Sequence, residues 1–196
     1  FSWILIEQSF EIQKSYILPG LILILISVFS ALFFLKSLLI SDLSLTIPLL
    51  SLTPVFSSFF SYFIINEALE STEYFGILII VLGALVLYAE RLQIRSIFNS
   101  FRIISSNLGA RLMIIVSFFW SITPIFDKIC LDYTSISMHG TVQSFGMLLF
   151  LIALSKKELV NLSKIYKKPS LIIFTLSIGT LATVVQFYAI LENYVA

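Results

Sequence analysis

The chain has 196 residues, a formal net charge of +1, 59% apolar residues and only 12% charged ones. Soluble domains average about 45–50% apolar and about 25% charged residues. With a mean hydropathy of +1.04, this composition excludes a soluble globular enzyme, a disordered chain and a basic nucleic-acid binder. One cysteine, Cys130, cannot close an intrachain disulfide, and one histidine, His139, leaves no cysteine–histidine zinc spacing. What remains is a polytopic membrane protein.

The chain opens on Phe1-Ser2-Trp3-Ile4-Leu5-Ile6. This reads as the tail of an apolar segment already in progress rather than a signal peptide, so the sequence is expected to be a fragment of a longer protein. Six uncharged stretches follow. Segment A has 21 positions between Lys14 and Lys36, B has 24 between Asp42 and Glu67, and C has 16 between Glu73 and Glu90. Segment D has 15 between Arg111 and Asp127, E has 23 between Asp132 and Lys156, and F has 23 between Lys168 and Glu192. A hydrocarbon core of about 30 Å takes about 20 helical residues. A, B, E and F pass that test. C spans only with Thr72 and Glu90 at the headgroups, and D only with Asp127 and Lys128 inside the interface. Lipid offers backbone groups no water, which favours helices. Runs such as Leu21-Ile22-Leu23-Ile24-Leu25-Ile26 do not alternate as barrel strands do. The expected fold is all-α, a polytopic membrane helix bundle with six complete transmembrane helices.

Lys and Arg set orientation. The C–D connection carries Arg91, Arg95, Arg102 and Arg111, and the E–F connection carries Lys156, Lys157, Lys164, Lys167 and Lys168. Two crossings separate these loops, so they share a side, which the charge rule makes cytoplasmic. The acidic B–C hairpin, with Glu67, Glu70 and Glu73, then faces outward. Within the C–D connection, Ile94, Ile97, Phe98, Phe101 and Ile104 recur near helical spacing. They suit either an amphipathic helix on the inner leaflet or a loop with some apolar residues.

A shift of about 152 positions overlays the exit of segment A (Phe34 to Asp42) on Gln186 to Tyr194 in hydropathy and turn position. A and F are five crossings apart and run in opposite directions, as inverted transporter repeats do. More specific are Ile40-Ser41-Asp42-Leu43-Ser44-Leu45-Thr46-Ile47-Pro48 through Thr53-Pro54-Val55-Phe56, then Asn66-Glu67-Ala68-Leu69-Glu70, then Tyr74-Phe75-Gly76 to Leu82-Gly83-Ala84. This run resembles the EamA-like group of the drug/metabolite transporter superfamily. Half-repeats there end with a proline-bearing helix, a short hairpin with a Glu and a Gly-containing helix. Phe119-Trp120-Ser121-Ile122-Thr123-Pro124 with Asp127-Lys128 looks like the first helix of a second repeat, and Gln186-Phe187-Tyr188-Ala189 like its third. The resemblance implies ten helices in an inverted five-plus-five repeat, of which A to F are helices three to eight. Residues 1–90 would end the first repeat, 91–111 would be a cytoplasmic linker and 112–196 would start the second.

Transport needs a midplane site where polar groups replace a solute's water. An interrupted helix is the best pointer to one. Pro48 and Pro54 supply no N–H, so carbonyls near Ser44 and Leu50 lose their donors. With Ser51 and Thr53 between the prolines, the break is either a grip for a polar solute or a plain kink patched by hydroxyls. Segment D repeats the motif at Thr123-Pro124, one turn after Trp120. Charge at the bilayer centre costs roughly 2.5–3.5 kcal/mol on insertion scales. Lys36 either snorkels to the inner headgroups or faces the cavity as a partner for an anionic solute. Asp127 and Lys128 point about 100° apart, so one can face the bundle while the other snorkels. Gln186 and Glu192 are cavity candidates from F. Asp42 reads as a loop residue starting B, Glu67 as structural, and Gly76 and Gly83 as helix packing. His139, near the start of E, reads as an interfacial hydrogen-bonder rather than a proton relay.

The resulting expectation is a secondary transporter, an exporter of small polar metabolites such as amino-acid-like compounds, working by alternating access. The substrate-binding candidates are Lys36, Pro48, Ser51, Thr53, Trp120, Thr123, Asp127 and Gln186. No catalytic residue, cofactor or metal is expected. The expected partners are a small-molecule solute and the lipid bilayer, with no nucleic acid; a homodimer is left open. The expected location is a prokaryotic inner membrane. The rival readings are a lipid or glycolipid flippase of the same superfamily and a membrane assembly subunit without a solute path. An intramembrane enzyme has little support with one His, one Cys and no acidic pair within a span.

Overall fold

The computed structural model describes residues 12–66, 70–88, 106–154 and 169–192, and all described regular structure is helical. A 3₁₀ turn, Lys14–Tyr16, leads into α1, Ile17–Ile40. Segment B is in three pieces: α2, Leu43–Thr46, a 3₁₀ stretch, Ile47–Leu52, and α3, Thr53–Ile65. Then come α4, Ser71–Tyr88, α5, Leu108–Leu131, α6, Ile136–Leu154, and α7, Pro169–Glu192. Four of the described spans are long and apolar enough to cross a membrane: Lys14–Ile40, Leu43–Ile64, Leu108–Leu131 and Ile136–Leu154. Two shorter apolar helical runs are Ser71–Gly83 and Leu176–Ile190. Large apolar side chains stand exposed along them, among them Phe75, Leu78 and Ile79 on α4 and Ile173, Phe174 and Leu181 on α7. Soluble monomers do not tolerate such continuous apolar surface; lipid does. The chain is an all-α polytopic membrane helix bundle, as its composition implies.

The ends of the elements follow local chemistry. Asp42 holds the N-cap position of α2, and its carbonyl takes the Thr46 amide at 3.1 Å. Asn66 closes α3 in the left-handed conformation, φ 54°, with its N–H on the Ser61 carbonyl. Asn tolerates that conformation far better than a β-branched residue. Asn66→Gly should therefore leave thermal stability unchanged, and Asn66→Val should lower it by about 1–2 kcal/mol, read by thermal unfolding in detergent. At the start of α4, the Glu73 carboxylate accepts from the Glu70 backbone N–H at 2.7 Å, half of a capping box. Asn107 caps α5, its side-chain oxygen accepting from the Ala110 N–H at 3.0 Å. The helix it starts is longer than segment D: it takes in Arg111, Asp127 and Lys128, and it is long and apolar enough to cross a membrane. It also begins inside the expected 91–111 linker. The proposed amphipathic helix there, the Lys156 to Lys168 loop, Glu67 and the Phe1 to Ile6 tail lie outside the described residues. So does the Glu192 side chain.

The chain divides into two compact units, Phe1–Val28 with Phe126–Tyr194, and Phe29–Ile125 with Val195–Ala196. The core of the second is Leu49, Ala110, Met113 and Val116, with Phe33, Phe34, Leu50, Leu52 and Trp120 packed against it. Rings interleave around it: Phe33 stacks on Phe119 at 6.3 Å, and Phe118 meets Phe56 and Phe60 at 5.7 and 5.1 Å. Polar ties join α1 to α5 here. Ser37 donates to the Gly109 carbonyl at 2.8 Å and Ser41 to the Asn107 side-chain oxygen at 2.7 Å. A Cβ added at Gly109 would run into Ser41, so this glycine is a close approach. Gly76 and Gly83, read from the sequence as packing glycines, have open surroundings among the described residues: a Cβ at either meets nothing there within 4 Å. The core of the first unit is Tyr16, Leu23 and Cys130, with Phe126, Tyr133 and Val142 around it.

Candidate functional site

Two features concentrate unusual polar chemistry, one in each unit. The first is the interrupted span. Pro48 sits in the first turn of the 3₁₀ stretch and Pro54 in the first turn of α3. Those are the positions where a missing N–H costs nothing within the element itself. The two prolines therefore restart the helix twice, rather than kinking one helix. Ser51 returns its hydroxyl proton to the Pro48 carbonyl at 2.7 Å. Thr53 does not do the same: its hydroxyl oxygen is buried and has no hydrogen-bond partner among the described residues. Ser57 and Ser61 follow at four-residue spacing, so the three hydroxyls share one face of α3. Both serines are buried, and the Ser61 hydroxyl, like that of Thr53, lacks a partner among the described residues. Buried hydroxyls left unpaired cost about 1–3 kcal/mol each, which makes two on one face a feature to explain. Sequence reasoning missed Ser57 and Ser61, although the Thr53, Ser57, Ser61 spacing is readable without coordinates.

The proline of segment D behaves differently. Pro124 lies inside α5 without ending it. It removes the donor for the Trp120 carbonyl, and Thr123 supplies a replacement at 3.0 Å. Trp120 donates its indole N–H to Ser30 at 2.9 Å. Both residues thus spend their donors on holding the helix and its neighbour. Lys36 is exposed one turn before the end of α1. Lys36, Pro48, Ser51, Thr53, Trp120 and Thr123 all belong to the second unit.

Asp127 and Gln186 belong to the first unit. Gln186 is exposed on α7 and does not line the surface pocket formed there by Leu176, Ser177, Thr180, Leu181 and Val184. Asp127 is 6% exposed and is the start of the second feature. Its carboxylate accepts from His139 Nε2 at 2.9 Å. On the other side of the ring, His139 Nδ1 meets the Tyr16 hydroxyl at 2.9 Å. Gln143 Nε2 contacts that hydroxyl at 3.4 Å and the Gly20 carbonyl at 3.2 Å. His139 is completely buried, with the Phe187 ring 5.0 Å away. Local sequence sets this up. Ser135 caps α6 by accepting from the Met138 N–H, and its carbonyl takes the His139 N–H at 2.8 Å. That fixes the histidine in the first turn. The Gln13 N–H on the Tyr133 carbonyl, 3.2 Å, holds the Tyr16 turn beside the α5–α6 connection. His139 is the hydrogen-bonder the sequence leads one to expect, but its partners and full burial are not legible there.

Apolar helices with exposed apolar faces, one of them opened by two prolines over a stripe of buried hydroxyls, define an integral membrane protein of polytopic helical type. Residues 1–89 match the model of the EamA-like transporter family. The resemblance carried by Pro48, Pro54 and the Gly76–Gly83 helix is borne out over that stretch, and this family is one of membrane transporters rather than enzymes. No curated protein and no solved structure matches the chain.

Proposed function

We propose that the protein is a secondary transporter that exports small polar metabolites such as amino-acid-like compounds by alternating access. The observation that carries this reading is the interrupted span with the unpaired hydroxyls of Thr53 and Ser61 beneath it. Broken helices at membrane depth are tolerated where they line a polar path, and a solute's polar groups would supply the partners these hydroxyls lack. Lys36 is assigned to a carboxylate of the solute, and Trp120 and Thr123, in the same unit, to the wider lining. In this reading residues 1–90 and 112–196 are parts of two antiparallel EamA-like repeats joined by 91–111. The basic loops face the cytoplasm of a prokaryotic cell.

The test uses the full-length protein in proteoliposomes loaded with a mixture of the standard amino acids, with efflux followed by mass spectrometry. Thr53→Val keeps the shape and removes only the hydroxyl. Its thermal stability should stay equal or rise, because an unsatisfied group is gone. Efflux should fall about tenfold, the factor for one lost hydrogen bond of about 1.4 kcal/mol. Unchanged efflux would assign Thr53 to packing alone. A parent protein that moves no amino acid but scrambles a fluorescent lipid would favour the flippase reading.

A further inference from the structure

We propose that Asp127, His139 and Tyr16 form a proton-binding site whose occupancy holds together the neighbouring ends of α1, α5 and α6. The site is independent of which solute is moved. All three side chains are at least nine-tenths buried. They sit at element ends: Tyr16 just before α1, Asp127 four residues before the end of α5, and His139 in the first turn of α6. At 1.5 Å per residue, Asp127 is about 6 Å from the end of its helix. A short opening of these ends would bring water to it.

The chain of bonds has a direction. The Gln143 amide reaches both the Gly20 carbonyl and the Tyr16 hydroxyl. An amide nitrogen only donates, so the tyrosine proton points to His139 Nδ1. A neutral ring then carries its own proton on Nε2 and gives it to the Asp127 carboxylate. In this state the buried cluster holds one net negative charge, which an apolar surrounding disfavours strongly. One added proton makes the cluster neutral. It rests either on the ring, with Tyr16 turning from donor to acceptor, or on the carboxylate. Burial favours the protonated cluster, and access to water favours its loss. Low pH therefore closes these helix ends, and rising pH loosens them.

Among the described residues, the titratable groups packed around the site are Asp127 and Cys130 from α5, Tyr16 from the turn before α1, and Tyr133 from the α5–α6 connection. Gln143 from α6 and Phe187 from α7 do not titrate. Lys128 is half-buried and follows Asp127 in sequence, so it leaves α5 about 100° away. Lys14 and Asp132 are exposed.

The experiment uses the full-length protein in lipid nanodiscs with ¹⁵N-histidine, the His139→Gln spectrum identifying the His139 signal. Between about pH 8 and about pH 5, either the His139 ring should become doubly protonated or the Asp127 carboxylate should become a carboxylic acid by infrared spectroscopy. Asp127→Asn should abolish both changes. Cys130, fully buried in the same cluster as Tyr16, reports the opening. Its maleimide labelling rate, divided by that of the detergent-denatured protein at each pH, should be about tenfold lower at the acid end. Constant protonation of both groups over this range would overturn the proposal, as would a relative Cys130 rate that does not change. Should Asp127→Asn fail to fold, Tyr16→Phe serves instead. A displaced titration supports the site, and a titration identical to the parent removes Tyr16 from it.

Discussion

His139→Leu should cost about 3–5 kcal/mol of stability, the range for removing one partner of a buried ion-paired or charge-assisted contact. The leucine fills the space but strands two groups. The buried Asp127 carboxyl group loses the Nε2 donor, and the Tyr16 hydroxyl loses its acceptor. Neither reaches water without opening the first unit, since Asp127 is 6% exposed and Tyr16 3%. Thermal unfolding of the full-length protein in detergent, followed by tryptophan fluorescence, measures the loss. The control is the double variant Asp127→Leu with His139→Leu. Removing both partners deletes the stranded carboxyl group, so it should recover most of what the single change loses. If the single variant stays within about 1 kcal/mol of the parent, as exposed pairs do, the contact is wet in the membrane and the burial argument fails.

The second large effect is expected at Gly109. Valine there would displace the Ser41 hydroxyl and press on the Ser37 carbonyl. Ser41 cannot move freely, because it donates to the Asn107 oxygen that also caps α5. Overpacking costs about 1–3 kcal/mol, and loss of a side-chain cap about 1 kcal/mol more. Gly179→Val on α7 is the comparison, since a Cβ there meets nothing within 4 Å. The Gly109 variant should unfold at a clearly lower temperature than the Gly179 variant. Equal midpoints would mean that the α1–α5 contact at Gly109 is not formed in the bilayer.

The sequence carries the spans and the break for different reasons than it hides the rest. Uncharged run length reports membrane helices directly, because lipid penalises charge position by position. Proline marks Pro48 and Pro54 without any need of a neighbour, since what it lacks is its own N–H. The hydroxyl spacing at Thr53, Ser57 and Ser61 was equally available. By contrast, Tyr16 and His139 are 123 positions apart, and nothing local in either residue names the other. Asp127 is visible in the sequence as a costly charge, but its compensation depends on how α5, α6 and the turn before α1 cross. Glycine roles fail for the same reason. Gly83 and Gly109 look alike in sequence, and only packing separates an open position from a close approach. Ser51 and Thr123 show a further ambiguity: a hydroxyl beside a proline can face a solute or mend its own backbone, and here both donate to a carbonyl three residues back.

That habit has a mechanical side. On α7, Thr180 and Thr183 donate to the carbonyls of Leu176 and Gly179, one turn back in the same helix. Hydroxyls content with their own backbone make no polar demand on whatever lies alongside that stretch of the helix. At Thr180 and Thr183 it can slip or roll against apolar neighbours without breaking a bond made by these two hydroxyls. α1 and α5 are riveted instead through Ser30, Ser37, Ser41 and Asn107. The alternating access proposed above would use both kinds of joint, bearings as well as welds.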